Sequence, residues 1–276
     1  MEPPFRYGPG TPRTAERDLC EERFSQTKSN IVAFSSACNR ISPMKLPSSK
    51  RPWVAASLTD FGRLVPDARR AAREGADLLE IRADLFPARV LKEKILTAKL
   101  PAVRQAVKLP ILLTLRCRAE GGKWPFSDNR RAALLRALMP SVDGVDVEGA
   151  ARIAPGVLRD ARRLGKWVVL SHHDFKKTPS NRALKVAVRR FAQSGAQILK
   201  VAAMPRRPSD VDRLMLFCSG LTGRRAFIAM GPLGCETRLE PRKWGSCLTF
   251  ASVGRPSAPG QMQVKELAGR IYSTFT

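Results

Sequence analysis

Short apolar runs recur along the chain at a spacing that restricts its fold. From residue 53 onward, eight strand-like segments follow one another: 53–58 (WVAASL), 77–82, 111–116, 144–148, 167–172, 197–204, 226–230 and 247–252. Near-continuous apolar runs are typical of strands that are covered on both faces, as in parallel sheets. We therefore expect these segments to form a buried parallel sheet.

Amphipathic helical patterns fill most of the gaps between these segments. Apolar residues repeat at helical spacing in 184–192 and again in 264–275, with charged residues between them. Ser180 and the pair Ser209–Asp210 stand where they could cap helices. The alternation of strands and helices predicts an α/β fold, a (β/α)8 TIM barrel. A doubly wound sheet is the alternative, because the sequence does not show whether the sheet closes.

The composition divides the chain into two parts. Residues 1–50 are rich in Pro, Ser and Arg and have little periodicity, whereas residues 51–276 carry the strand and helix pattern. We expect 51–276 to form one (β/α)8 domain and 1–50 to be a disordered N-terminal extension. The alternative is a start assigned too early, with Met44 as the true first residue.

The net charge, the apolar runs and the cysteines of the chain indicate which binding partners and which cellular compartment to expect. A net charge of +25 favours an anionic partner, but the basic residues are spread along the chain and indicate a solvated basic surface. No run of about 18 apolar residues indicates a membrane span. The six cysteines include no C-x-x-C pair and no Cys/His cluster with metal-site spacing. We therefore expect no metal and a reducing, cytoplasmic location.

Charged residues stand at the predicted strand ends, where (β/α)8 enzymes carry their chemistry. Strand two ends in Glu80-Ile-Arg82-Ala-Asp84, which places three charged side chains on one face. Lys200 lies inside the sixth strand. Because burial disfavours the ammonium form, such a lysine has a lowered pKa and can attack a ketone or aldehyde. A structural ion pair between Lys200 and Glu80 is the alternative interpretation.

The only two histidines, His172 and His173, are adjacent at the end of strand five. Neighbouring residues in a strand point to opposite faces, so only one of them can face the barrel interior. An imidazole titrates near neutral pH and can move protons in both directions. We expect one histidine to be an acid/base group and the other to pack or hydrogen-bond outside the site.

Taken together, these residues resemble type I 3-dehydroquinate dehydratase, the Schiff-base-forming lyase of the shikimate pathway. The resemblance extends from about residue 52 to the C terminus and is carried by LEIRADLF (79–86), TLRCRAEGG (114–122), SHHDFKKTPS (171–180), LKVAAMP (199–205), the Arg238 loop and SAPGQ (257–261). It implies a (β/α)8 fold, a homodimer without a cofactor, and the third step towards chorismate and the aromatic amino acids. The loop before Arg238 departs from familiar members because it is richer in Gly and Pro.

The resemblance also implies roles for individual residues. Lys200 would form an imine with the C3 ketone of 3-dehydroquinate, His173 would be the proton donor and acceptor, and Glu80 would work beside it. His172 occupies a position that varies in the family. The substrate-binding set would be Ser57, Glu80, Arg82, Arg116, Arg238, Ser257 and Gln261.

Three alternatives compete with this interpretation. Another Schiff-base barrel, such as a class I aldolase, also needs a lysine in a strand. The high positive charge permits a nucleic-acid-binding protein, although the sequence contains no recognisable binding module, and no specific nucleic-acid or membrane partner is expected. An inactive homologue is the third alternative, and it is disfavoured because every matched position keeps its chemistry.

Overall fold

A computed structural model describes residues 46–48 and 50–273 of the chain. The predicted extension, residues 1–50, lies outside the described residues apart from 46–48 and 50, and so does Met44. Among the described residues, no helix combines the length and the apolar character needed to cross a lipid bilayer.

Strands and helices alternate through the described part of the chain. The strands are β1 Trp53–Leu58, β2 Leu78–Arg82, β3 Ile111–Thr114, β4 Gly144–Glu148, β5 Trp167–Asp174, β6 Ile198–Ala203, β7 Arg225–Ala229 and β8 Leu248–Ser252. The helices are α1 Leu64–Arg73, α2 Glu93–Ala106, α3 Asp128–Leu138, α4 Ala154–Arg163, α5 Asn181–Ser194, α6 Pro208–Ser219, α7 Cys235–Leu239 and α8 Val264–Tyr272. The eight predicted strands are thus all present, with ends that agree to within two residues.

The strands form one parallel sheet in the order β7-β6-β5-β4-β3-β2-β1-β8. The segment directly before β8 is hydrogen-bonded to β7, because the Cys247 N–H donates to the Arg225 carbonyl at 2.7 Å. In the same segment, Ser246 Oγ accepts a hydrogen bond from the Phe227 N–H of β7 at 3.0 Å. The sheet is therefore a nearly closed barrel, and the prediction of a (β/α)8 fold is confirmed.

Local sequence signals explain where two helices begin. Ser180 caps α5 as expected, since its Oγ accepts a hydrogen bond from the Ala183 N–H at 3.3 Å. The predicted cap at Ser209–Asp210 is wrong, because α6 already begins at Pro208. Proline suits a first helical position, where its fixed φ is preorganised and its missing N–H costs nothing.

The side chains that point into the barrel change character along each strand. Trp167 and Val169 belong to the buried apolar core, and the next inward positions of β5 are Ser171 and His173. In β6 the same alternation places Ile198 in that core and turns Lys200 inward one level higher. An apolar layer therefore closes the lower barrel and supports a polar layer at the C-terminal ends of the strands.

Gly144 offers a test of how tightly the lower barrel is packed. A Cβ at this position would lie 2.4 Å from the indole ring of Trp167, whereas a Cβ at Gly269 in α8 would meet nothing within 4 Å. We expect Gly144→Ala to lower the free energy of unfolding by about 1–3 kcal/mol through overpacking. Gly269→Ala is expected to raise it by about 0.5–1 kcal/mol, because alanine is the better helix former. Urea unfolding of both variants checks this, and equal effects would contradict the packing described.

Candidate functional site

A pocket at the C-terminal ends of the strands brings together every residue predicted for the site. Its walls include Ser57, Glu80, Arg82, Arg116, His173, Lys200, Arg238, Ser257 and Gln261. Glu120, Phe175 and Phe250 also line it. Within residues 46–48 and 50–273, no group of three His, Cys, Asp or Glu side chains is placed to hold a metal ion.

Lys200 is buried in this pocket between two carboxylates. Its Nζ lies 3.3 Å from Asp146 Oδ2 and 3.7 Å from Glu80 Oε1. The same nitrogen stands 3.8 Å from the centre of the Phe250 ring. Burial lowers the pKa of Lys200 by more than the two carboxylates raise it. A larger fraction of this amine is therefore neutral, and hence nucleophilic, than in an exposed lysine.

Glu80 is held by hydroxyl groups on both of its oxygens. Ser57 Oγ donates to Oε2 at 2.6 Å, and Thr114 Oγ1 donates to Oε1 at 3.0 Å. Gln261 Nε2 donates in turn to Ser57 Oγ at 3.1 Å, which links the loop after β8 to this carboxylate. Burial alone would raise the pKa of Glu80, but Lys200 and other polar neighbours outweigh it and the pKa is lowered. Glu80 is therefore a fixed, ionised carboxylate beside the amine.

Asp146 completes the surroundings of Lys200. Arg116 Nη2 lies 2.8 Å from Asp146 Oδ2, and Ser171 Oγ donates to Oδ1 at 2.6 Å while accepting from Arg116 Nη1 at 2.6 Å. Burial acts against ionisation, yet Arg116 and Lys200 together lower the pKa of Asp146 to about 2. Neither Asp146 nor Ser171 is among the residues that the sequence predicts for the site.

The arginines of the pocket wall differ in how their charge is balanced. Arg82 makes two parallel hydrogen bonds to Asp84, at 3.0 and 3.1 Å. Arg116 is paired with Asp146 and lies 3.4 Å from Glu148. Bidentate and paired contacts of this kind fix a guanidinium in one orientation. Both side chains are therefore held in place before any ligand enters.

Arg238 is the exception, because no salt bridge to it occurs among the residues that the structure describes. Its guanidinium donates to the carbonyls of Phe250 and Pro259 at 3.4 and 3.2 Å, and its Nε is buried without a partner. Burial lowers the pKa of Arg238 to about 10. A buried cation without a counter-charge is costly, and an anion that enters the pocket would offset that cost.

His173 faces the pocket and is oriented by Glu120. Its backbone N–H donates to Glu120 Oε2 at 2.8 Å, and its Nδ1 lies 3.0 Å from the same oxygen. A carboxylate only accepts hydrogen bonds, so Nδ1 carries the proton and Nε2 is a free base. Burial, with Arg116 and Lys200, holds the pKa of His173 well below 6.5. A neutral imidazole of this tautomer can take a proton from a molecule in the pocket.

The side chains of the two histidines point to opposite sides of β5, as the alternation along the strand predicts. His172 does not line the pocket, and its side chain is 36% exposed, against 9% for His173. Its Nδ1 nevertheless lies 3.7 Å from Glu120 Oε1. Glu120 was missed as a site residue because it follows strand three in a glycine-rich loop, where the sequence gives no sign that it reaches β5.

The loop after β8 closes one side of the pocket. Ser257 donates to Gln261 Oε1 through its backbone N–H at 2.7 Å and its Oγ at 3.0 Å. The Gly231 N–H after β7 donates to the Pro259 carbonyl at 3.1 Å. A Cβ at Gly260 would lie 2.7 Å from the Gly231 oxygen, so the two loops approach each other at their backbones.

Comparison with known proteins agrees with this geometry. The family model of type I 3-dehydroquinase matches residues 54–275. A 3-dehydroquinate dehydratase of Methanosarcina barkeri is 41% identical over 212 residues, which cover 72% of this chain and 86% of that protein. The Klebsiella pneumoniae enzyme of the same name is 37% identical over 206 residues, with coverages of 70% and 80%.

Solved structures give the same assignment. The crystal structure of 3-dehydroquinate dehydratase from Geobacillus kaustophilus superimposes with a TM-score of 0.77 at 30% identity, covering 85% of this chain and 98% of that one. The residues matched by the family model, 54–275, include all eight strands except Trp53, together with the loops that carry the pocket. The chain therefore belongs to the type I 3-dehydroquinase family.

Proposed function

We propose that this protein dehydrates 3-dehydroquinate to 3-dehydroshikimate through an imine at Lys200, the third step of the shikimate pathway towards chorismate. The observation that carries the proposal is a buried amine in one pocket with a neutral imidazole and an unpaired guanidinium. The names of the Methanosarcina barkeri and Klebsiella pneumoniae relatives support the same reaction.

The first step joins the amine to the substrate ketone. The neutral Nζ of Lys200 attacks C3 and a carbon–nitrogen bond forms. The ketone oxygen takes up one hydrogen of the amine and one proton from solvent and leaves as water, while the second amine hydrogen stays on the iminium nitrogen. His173 is the group that moves these protons, because its Nε2 is free. The ionised carboxylates of Glu80 and Asp146 then stabilise the cationic iminium nitrogen, which replaces the amine between them.

The second step eliminates water across C1 and C2. His173 takes a proton from C2, and the electron pair moves into the iminium, which acts as an electron sink. His173 then gives a proton to the C1 hydroxyl, which departs as water and leaves a conjugated double bond. Hydrolysis of the imine releases 3-dehydroshikimate and restores the amine of Lys200.

Substrate binding is assigned to the residues around the amine. Arg238 is the partner that we propose for the substrate carboxylate, because its own charge is not balanced by the protein. Ser257 and Gln261 would complete the hydrogen bonds from the loop side. Arg82 and Arg116, already fixed by carboxylates, would donate to substrate hydroxyl groups.

Dehydration can be distinguished from the action of a class I aldolase by the product. Addition of 3-dehydroquinate should produce the absorbance of a conjugated enone without carbon–carbon cleavage. Carbon–carbon cleavage products of 3-dehydroquinate, formed instead of the enone, would favour the interpretation as a class I aldolase. The homodimer, the cytoplasmic location and the absence of a specific nucleic-acid partner stay predictions.

Replacement of Lys200 tests the covalent step. Lys200→Ala is expected to lower kcat by roughly 1,000-fold or more, because the nucleophile and its positioned attack are both lost. Lys185→Ala, which removes an exposed lysine on α5, is the matched control and should keep the wild-type rate. Steady-state absorbance with 3-dehydroquinate measures both variants, and a Lys200→Ala enzyme at the wild-type rate would overturn the mechanism.

A pair of arginine variants tests the proposed carboxylate site. Arg238→Met is expected to raise KM about 10- to 100-fold, the loss of a charge-assisted contact, without lowering the melting temperature. Arg82→Met removes the partner of buried Asp84 and should cost about 3 kcal/mol of stability. Kinetics and thermal unfolding measure both. An unchanged KM in Arg238→Met would place the substrate carboxylate elsewhere.

A further inference from the structure

Both histidines of the chain lie beside one carboxylate, that of Glu120, His173 at hydrogen-bond distance and His172 at ion-pair distance. His173 Nδ1 lies 3.0 Å from Oε2, and His172 Nδ1 lies 3.7 Å from Oε1. The carboxylate is thus flanked by one imidazole on the pocket side and one on the outer side. The proposed function uses only the first of these contacts.

The length of β5 explains how neighbouring residues with opposite orientations reach the same group. The pairing of β5 with β4 ends at Ser171, whereas its pairing with β6 continues to Asp174. Beyond Ser171, the edge of β5 that faced β4 is open, and the His173 N–H donates to Glu120 there. A carboxylate at a strand edge lies between the two faces of the strand, so side chains from both faces can contact it.

The backbone around Glu120 is fixed by close contacts. Gly121 has a φ of +78°, and a Cβ there would lie 2.2 Å from the Phe175 ring. A Cβ at Gly122 would lie 2.1 Å from the Arg116 carbonyl oxygen. These contacts set the position of the Glu120 backbone, while the orientation of its carboxylate depends on what touches the two oxygens.

The orientation of the Glu120 carboxylate affects His173, whose ring lies close to several cationic side chains. Burial lowers the pKa of His173, and the nearby charges of Arg116, Lys200 and Arg82 lower it further. Glu120 is the carboxylate in direct contact with the ring, and it selects the tautomer that leaves Nε2 free. A rotated carboxylate would release Nδ1 and lose that selection.

We propose that His172 is a positioning residue that holds Glu120 Oε1 from the outer face, so that Oε2 stays on His173 Nδ1. This inference rests on the proposed function, since His173 must act as the acid/base group for the positioning to affect turnover. His172 itself never touches the substrate.

Two substitutions of His172 separate its polar contact from its bulk. His172→Leu removes the nitrogen, whereas His172→Asn keeps a donor near the position of Nδ1. We expect His172→Leu to lower kcat about 10-fold with little change in KM, because a displaced proton donor and acceptor affects the transition state more than substrate binding. His172→Asn should stay close to the wild-type rate. Equal losses in the two variants would contradict the proposal.

A double-mutant cycle with Glu120→Gln tests whether His172 acts through Glu120. The loss caused by His172→Leu should disappear in the Glu120→Gln background, because the group that it positions is already gone. An undiminished loss in that background would show that His172 acts by another route, and it would overturn the inference.

Nitrogen NMR of the imidazole rings gives a readout that does not need turnover. In His172→Leu the remaining histidine is His173, so its signals are assigned directly. We expect the wild type to show the single Nδ1–H tautomer and His172→Leu to show a mixture of tautomers. An unchanged tautomer would refute the positioning role. If the wild type fails to dehydrate 3-dehydroquinate, the proposed function fails, and the NMR result alone decides the role of His172.

Discussion

Charge compensation inside the barrel is the constraint on which the site depends. Each ion buried without a partner costs several kcal/mol, so the charged residues of the upper barrel are stable only as a set. Lys200 lies against Glu80 and Asp146, and Arg116 bridges Asp146 to Glu148. Removal of one member would leave another unpaired. This network of paired charges therefore fixes the positions of Glu80, Asp146 and Arg116 around the amine.

Arg238 differs from these paired charges, because no described residue forms a salt bridge with it. The other buried cations, Arg82, Arg116, Arg131 and Lys200, each lie beside a carboxylate, so Arg238 is the position where an entering anion would offset an unbalanced charge. In the proposed reaction the substrate carboxylate pairs with Arg238 on binding. The iminium formed at Lys200 then carries a positive charge between the same two carboxylates, which stabilise it. Binding and catalysis thus draw on two separate electrostatic features of one pocket.

The sequence was most informative where periodicity decides structure. Apolar runs predicted all eight strands, and the period of two in β5 correctly separated His172 from His173. The sequence did not reveal that Glu120 reaches both histidines, because the open edge of β5 depends on where β4 ends in space. The contact of Phe250 with Lys200 was missed for a similar reason, since an aromatic residue in a strand indicates only a core position. Local sequence patterns also could not predict whether the sheet closes into a barrel, because closure depends on the tertiary arrangement of the strands.

The covalent bond proposed between Lys200 and the substrate ketone can be trapped by reduction. Borohydride is added during turnover of 3-dehydroquinate, and the digested chain is examined by mass spectrometry. We expect the peptide containing Lys200 to gain the mass of the reduced ligand adduct, and only when ligand and borohydride are both present. Dehydration without an adduct at Lys200, or an adduct on another lysine, would contradict it.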